Sequence, residues 1–532
     1  MSNAKELIFE EEARNKLRDG IDKLADVVGV TIGPKGLNVG LQASWGAPTI
    51  TNDGNSIVKD VELKDQYANM GVALGKEATR KMKEVCGDGT TSTILILRSL
   101  VQHGIKNIAS GASPINVKRG MDKAVDLILQ ELDKTAIAIQ EGKETLNIAI
   151  ASASGNTTIG TLIADAIKKV GKSGVITIEE GKSTETSVEM VEGMQFDRGY
   201  CSSYFCTNAD ALTVEMHNAK VLVTDKKITS IQEILPILQT IAATASELLI
   251  IADEVEGDAL STLVVNKLRG TLKVCAVKAP GFGDRRKAML EDLAVLTGAT
   301  LVTEDVGLSL KEATDAVLGS AEKIVVTKEK TTIIGGQGTP EKIQARIGVI
   351  QAEAEKSAST YDKEKLEERK AKLSGGVAVI RVGAATEPEM KQKKQLFEDS
   401  LNSTRAALEE GIVIGGGVAL LRASKSASLN LPAEEATGAQ IVLKACEAPF
   451  RQIVSNTGAD QSVILDQVLA SPSHFGFNAL NETVEDLLKS GIIDPAKVVK
   501  NALRFAASTA GVILLSETLI GNAPEEEEEK SK

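Results

Sequence analysis

The stretch CGDGTTSTILILRSL, Cys86 to Leu100, sets the organisation of the rest of the chain. Gly87 and Gly89 flank Asp88 so that the backbone can turn tightly, and Thr90, Thr91 and Ser92 then open an apolar run too long for a typical strand. The pattern predicts a loop feeding the N-terminus of a helix. Such an end presents unpaired N–H groups and the positive pole of the helix dipole, both of which suit phosphate. Three hydroxyls add donors, and Asp88 is a hard oxygen ligand of the kind that holds Mg²⁺ against phosphate oxygens. A capped helix after a glycine turn would use the same residues, so the rest of the chain has to decide.

Composition narrows the choice. At 532 residues there is room for about three or four domains. Aromatic residues make up only 3%, so the cores must be built from Ala, Val, Ile and Leu. With 61 Lys and Arg against 73 Asp and Glu the net charge is −12, which is the wrong sign for a nucleic-acid binder. Five cysteines, Cys86, Cys201, Cys206, Cys275 and Cys446, form no CxxC pair and are odd in number. That argues against a zinc site or a disulfide framework and for a reducing compartment. The N-terminus MSNAKELIFEEEAR turns acidic where a targeting signal would be basic and then apolar. The most apolar window, Ile234 to Ala252, is interrupted by Pro236, Gln239 and Glu247. A soluble cytoplasmic protein with no membrane partner is expected. His103, His217 and His474 are scattered and read as structural.

Along the chain, Phe9, Ala13, Leu17, Ile21, Leu24 and Val28 recur at helical spacing and predict an amphipathic helix. It ends at TIGPKG, Thr31 to Gly36, where glycines around Pro34 and Lys35 would allow close approach to a phosphate or simply stop the helix. Strand pattern over 39–51, turning at Trp45 to Pro48, delivers Asp53 in TNDG. Helices are predicted over 65–85, 90–109 and 117–132. From Thr177 the texture changes to VITIEE, AKVLVTD, LLIIADE, LKVCAVKA and IVVT, buried strands of an α/β layer. Residues 340–373 predict two charged helices, most simply the solvated faces of a hairpin. Beyond Glu387 long helices return, so a helical domain made from both ends, carrying an inserted β-rich domain, is expected. AIKKVGKS, Ala166 to Ser173, approaches P-loop spacing, but it lies between a predicted helix and a predicted strand, the reverse of what a P-loop needs. The tail PEEEEEKSK is a bare charge run, expected to be disordered.

Eight motifs in order along the chain, TIGPKG, TNDG, GDGTTS, GMQFDRGY, LLIIADEVEG, VKAPGFGDRR, GAATEPEMK and AALEEGIVIGGG, resemble those of the GroEL-type (group I) chaperonins. The resemblance covers about residues 5–522. It implies a multidomain fold, mainly α with an α/β apical domain: an equatorial ATPase domain from 1–134 and 410–523, an intermediate hinge from 135–191 and 378–409, and an apical domain over 192–377. It implies ATP and Mg²⁺ as cofactors, with K⁺ as a further candidate ion. Partners implied are unfolded polypeptides, a GroES-type co-chaperonin and other copies of the chain, in heptameric rings stacked as a 14-mer.

Carried over residue by residue, the phosphate loop falls on Thr31, Gly33, Pro34 and Lys35. Asp88 matches the Mg²⁺ ligand, and Gly89, Thr90, Thr91 and Ser92 match phosphate contacts. Gly416 corresponds to a ribose-side backbone contact, Asn478, Ala479 and Ile492 to the adenine pocket, and Asp494 to the carboxylate accepting ribose hydroxyls. Asp399, by composition alone one more acid on the charged helix 387–410, matches the carboxylate that orients or deprotonates the attacking water, and Asp53 is a second acid near the terminal phosphate. Tyr200, Tyr204, Phe205, Leu235, Leu238, Leu260, Val264 and Val265 match the apical lining that captures apolar segments. The chain departs from the family pattern at its acidic tail, at TAIAI over Thr135 to Ile139 where a proline is common, and at Leu480 beside the adenine pocket. Two other readings remain open at this stage: a chaperonin-like protein that binds without cycling, and a small-molecule kinase built on the same phosphate loops.

Overall fold

In a computed structural model the chain is described over residues 4–42, 48–139, 143–153, 155–171, 174–181, 183–208, 211–304, 307–357, 359–427 and 431–523. Residues 45–47 of the expected turn, Lys172 and Ser173 of the P-loop look-alike and the tail over 524–532 lie outside that range. Two compact units form, one from residues 1–164 with 391–532 and the other from 165–390. Segments 135–191 and 378–409 are divided between the two units.

The first unit is a helical body. Helix Glu10–Gly29 buries Ala13, Leu17, Ile21, Leu24, Ala25 and Val28, the spaced apolar positions of its sequence, and begins with three glutamates at its positive pole. It crosses helix Gln66–Cys86 at backbone contact. A Cβ at Gly20 would lie 1.9 Å from the Ala68 carbonyl oxygen, and one at Gly71 2.2 Å from that of Leu17. Gly120 and Gly438 bring helices Pro114–Thr135 and Ala433–Ala445 together in the same way. Small residues are thus what a core poor in aromatic rings requires. Helix Ala496–Leu515 is long and apolar enough to cross a bilayer, but it buries Ala502, Leu503, Ala506, Ala510, Ile513 and Leu514 in this core. Its Lys500 is ion-paired with Asp133 and Glu410. The two chain ends meet as antiparallel strands Lys5–Phe9 and Thr518–Asn522.

The second unit is built on a six-stranded sheet in the order Lys273–Lys278, Glu247–Ala252, Val214–Val223, Gly319–Val326, Thr331–Gly336, Gly193–Phe196. The first three strands are parallel, and Leu248 to Ala252 are wholly buried, which is why that run reads as continuously apolar. A smaller sheet places Val377–Val382 between Val175–Glu180 and Ser187–Val191. Helix Thr157–Val170 ends at Gly171, in the left-handed region at φ +76°, and a strand follows. The P-loop look-alike is therefore a helix stop.

The charged hairpin is not merely solvated, contrary to the sequence expectation. Helices Pro340–Lys356 and Thr360–Ser374 bury Ile343, Ile350, Ala354 and Leu373, and their arginines converge on Asp292, whose side chain is 1% exposed. Arg346 Nε donates to Asp292 Oδ1 at 2.6 Å, and Arg369 Nε donates to Oδ2 at 2.9 Å. Charge density in the sequence hid a buried ion triad. Removing one member leaves the others desolvated without compensation, so Asp292→Ala should cost about 3–5 kcal/mol of unfolding free energy in chemical denaturation, and a loss below about 1 kcal/mol would contradict the triad's role.

Candidate functional site

A cavity of about 170 Å³ in the first unit is walled by Ile32, Asp53, Gly54, Asn55, Lys83, Gly87, Asp88, Gly89, Thr90, Thr91, Ser92 and Asp399. Its floor follows from two glycines. Gly87, at φ +74°, ends helix Gln66–Cys86, and Gly89, at φ +88°, starts helix Thr90–Ala109, so that Asp88 stands on the short bend between two helix ends. The N-terminal turn of a 20-residue helix, with its three hydroxyl residues, forms one wall.

Three carboxylates converge here from distant parts of the chain. Asp53 caps helix Gly54–Asp60, accepting from the Ser56 N–H at 2.8 Å and the Ser56 hydroxyl at 2.6 Å. Asp88 accepts from Ser403 Oγ at 2.7 Å. Asp399, on helix Glu387–Glu410, accepts from Lys83 Nζ at 3.0 Å and from Gln395 Nε2 at 2.9 Å. Burial pushes the Asp399 carboxyl up to about 6, with the Asp88 charge adding to the shift and Lys83 opposing it. Burial works against the Lys83 ammonium, yet Asp399, Asp53 and Asp88 outweigh it and hold its pKa above the ordinary lysine value.

The remaining residues named from the sequence surround a neighbouring apolar cluster. Strand Ile412–Ile414 pairs antiparallel with Ile493–Pro495, setting Val413 opposite Asp494. Burial, and then the Asp88 charge, push the Asp494 carboxyl up to about 7. Gly416 follows in the left-handed region at φ +65°. Asn478 accepts from the Leu480 N–H at 3.0 Å and donates to Glu485 at 2.8 Å. Ala479 is buried in a cluster with Val418, Phe450, Ile453 and Phe477, and Ile492 packs against that cluster. Ile32 lines the cavity and touches this same cluster, which ties the two regions together. On either side of Ile32, Thr31 donates to the Val28 carbonyl at 2.8 Å, and Gly33 is in the left-handed region at φ +85°, where an added Cβ would lie 3.3 Å from the Ile453 side chain. Pro34 and Lys35 continue the loop, with Lys35 Nζ 3.2 Å from Glu482. Thr31, Gly33, Pro34, Lys35, Gly416, Asn478, Ala479, Ile492 and Asp494 do not line the cavity itself. Leu480 is exposed.

Sequence reasoning missed Lys83, Gln395 and Ser403. A signal existed for two of them: 395, 399 and 403 fall at intervals of four on one helix, hence on one face. Lys83 is in the last turn before the GDG bend, a position that a lysine occupies for many reasons.

The second unit carries an exposed apolar surface. Tyr204, Leu235 and Val265 are exposed, and Tyr200, Leu260 and Val264 are partly so. Helix Gly257–Leu268, which carries Leu260, Val264 and Val265, packs on the turn Ser203–Phe205, which carries Tyr204, and on the turn Ile231–Glu233 that leads into the helix starting at Leu235, and it ends at Leu268, 62% exposed. Two residues expected on this surface are not part of it. Phe205 is 0% exposed and Leu238 5%, both within the unit's core. The chain here forms a turn, Ile231–Glu233, closed by a Ser230–Glu233 capping box, and then helix Leu235–Thr244. That break sets the phase so that Ile234, Ile237, Leu238 and Ile241 face inward and Leu235 outward.

Comparison with known proteins places the chain in a family. Residues 24–524 match the family model for the TCP-1/cpn60 chaperonins. The chain is 66% identical over 532 residues to chaperonin GroEL 3 of Protochlamydia amoebophila (strain UWE25), covering 100% of both chains. Its fold resembles the chaperonin gp146 of bacteriophage EL, crystallised in the presence of ATP-BeFx, with a TM-score of 0.71, 22% identity, and coverage of 98% of this chain and 100% of that one.

Proposed function

The chain belongs to the TCP-1/cpn60 chaperonin family, as a chaperonin of the GroEL type, and from that premise we propose that ATP hydrolysis at the three-carboxylate cavity drives capture and release of unfolded polypeptides. The observation that carries the proposal is the recruitment of Asp399 to a cavity already holding Asp53, Asp88 and a helix N-terminus. Phosphoryl transfer needs positioning and charge control more than covalent chemistry, and this set supplies both. The first turn at Thr90 to Ser92 and the loop at Thr31 to Lys35 hold phosphates, Asp494 takes the ribose hydroxyls beside Gly416, and Asn478, Ala479 and Ile492 flank the base. Asp399 orients the attacking water and takes its proton, with Asp53 across the cavity.

Among the described residues no cluster of three or more His, Cys, Asp or Glu could hold a metal alone. A single carboxylate beside a phosphate-binding helix end nevertheless fits Mg²⁺, which is usually shared between one or two protein oxygens and the substrate's phosphates. Asp88, steadied by Ser403, would hold it, and the ion would neutralise phosphate charge. Tyr200, Tyr204, Leu235, Leu260, Val264 and Val265, with Leu268, would take up apolar client segments and then a GroES-type co-chaperonin, within stacked heptameric rings in the cytoplasm.

The test is ATP-dependent refolding of a denatured client together with ATP turnover across pH. Asp399 must be deprotonated to act, and its carboxyl sits near 6, so turnover should rise about tenfold per pH unit below that value and level off above about 7. A flat profile from pH 5 to 8, or no refolding with ATP and co-chaperonin present, would count against the assignment.

A further inference from the structure

We propose that Lys83 is the cation that receives the terminal phosphate of a bound nucleoside triphosphate, exchanging part of its pairing with Asp399 for it; this rests on the nucleotide reading above. The walls of the cavity carry three carboxylates, Asp53, Asp88 and Asp399, and among the residues lining it Lys83 is the single positive side chain. Lys35, the basic residue of the phosphate loop, is not on the wall and is paired with Glu482. A triphosphate brings more negative charge into a site that already has an excess of it, and one divalent ion offsets only part. A fixed ammonium on the wall supplies what is missing.

Position identifies which phosphate it meets. Lys83 lies 3.0 Å from Asp399, and Asp399 is the group that acts on the water attacking the terminal phosphorus. The ammonium is therefore beside the terminal phosphate, while the helix end at Thr90 to Ser92 serves the inner ones. One of its three N–H donors goes to Asp399, and two remain for a ligand. Its stem is mostly buried and rises from the last turn of helix Gln66–Cys86, where the dipole favours a cation, so the charge is held in place before substrate arrives. In the free protein Lys83 draws Asp399 into the cavity. With ATP bound it neutralises the terminal phosphate and leaves the carboxylate freer to accept a proton.

The experiment uses the full-length assembled protein and the variants Lys83→Met and Lys83→Arg, checked for folding by circular dichroism. Steady-state KM and kcat for ATP are measured alongside the inhibition constant of ADP. Lys83→Met should raise KM for ATP about tenfold, the loss of one charge-assisted contact, while the ADP constant moves less than about twofold. Lys83→Arg should recover most of the ATP affinity, since the charge is kept. A Lys83 that merely props Asp399 would lower kcat and leave the ratio of ATP to ADP affinity unchanged, which would overturn the proposal, as would equal weakening of both nucleotides. A wild-type protein that binds neither nucleotide would instead sink the ATPase reading itself.

Discussion

Asp399→Ala should bind ATP about as well as the wild-type protein and hydrolyse it about 10²–10⁴ times more slowly. Binding should survive because the proposed function assigns the phosphates and base to other elements: the first turn of helix Thr90–Ala109, the loop at 31–35 and the cluster around Ala479 and Ile492. Turnover collapses because no other carboxylate in the cavity has the same combination of properties. Asp53 is committed to capping a helix through Ser56, and Asp88 to Ser403 and the metal role. Asp399 is partly buried, with its pKa lifted to about 6, the range in which a base is both unprotonated at neutral pH and strong enough to accept a proton. Asp399→Asn, which keeps the shape and the Gln395 and Lys83 neighbours, should be nearly as slow. Single-turnover hydrolysis with nucleotide binding measured separately checks both variants, and wild-type turnover in either would refute the role.

Leu235→Ser, Val265→Ser and Leu268→Ser combined should abolish most client capture without unfolding the protein. These side chains are 43%, 43% and 62% exposed, so about half of each remains to be covered by a client, worth about 1 kcal/mol apiece. Together that is about a hundredfold in affinity for a denatured polypeptide, measured by titration of a fluorescent unfolded client. The melting temperature should hardly change, because little packed surface is removed. Leu238→Ala makes the opposite case: at 5% exposure it should cost about 2–5 kcal/mol of stability and leave the capture surface itself intact. Client affinity undiminished in the triple variant would show that polypeptides are bound elsewhere.

Features carried by local backbone chemistry were legible from the residues. Gly87, Asp88 and Gly89 announce a helix start because only glycine adopts those left-handed angles cheaply, and the spacing from Ala13 to Val28 announces the first helix, whereas Phe9, counted with that face, ends the preceding strand and is exposed. Features that depend on phase or on distant partners were not. Leu238 turned inward because a capping box at Ser230 and Glu233 ends one turn and starts the helix at Leu235, a shift that composition does not reveal, and Phe205 is buried at the end of its own short turn, Ser203–Phe205. Asp292 was invisible for a related reason: its partners lie 54 and 77 residues away in stretches that look fully solvated. Lys83 and Asp399 are separated by 316 residues, and nothing local marks the lysine as part of a site. The division between the units falls within helices Thr157–Val170 and Glu387–Glu410, not at a break between elements.

The central claim is that nucleotide at the Asp399 cavity governs whether the apolar surface of the other unit is available. Covalent footprinting of Leu235, Val265 and Leu268 in the assembled particle, with and without Mg·ATP and a co-chaperonin, tests it directly. The labelling of all three should fall several-fold when ATP and co-chaperonin are added together and return as ATP is consumed, with the protected state persisting in Asp399→Ala. Labelling that stays the same in every nucleotide state would contradict the account.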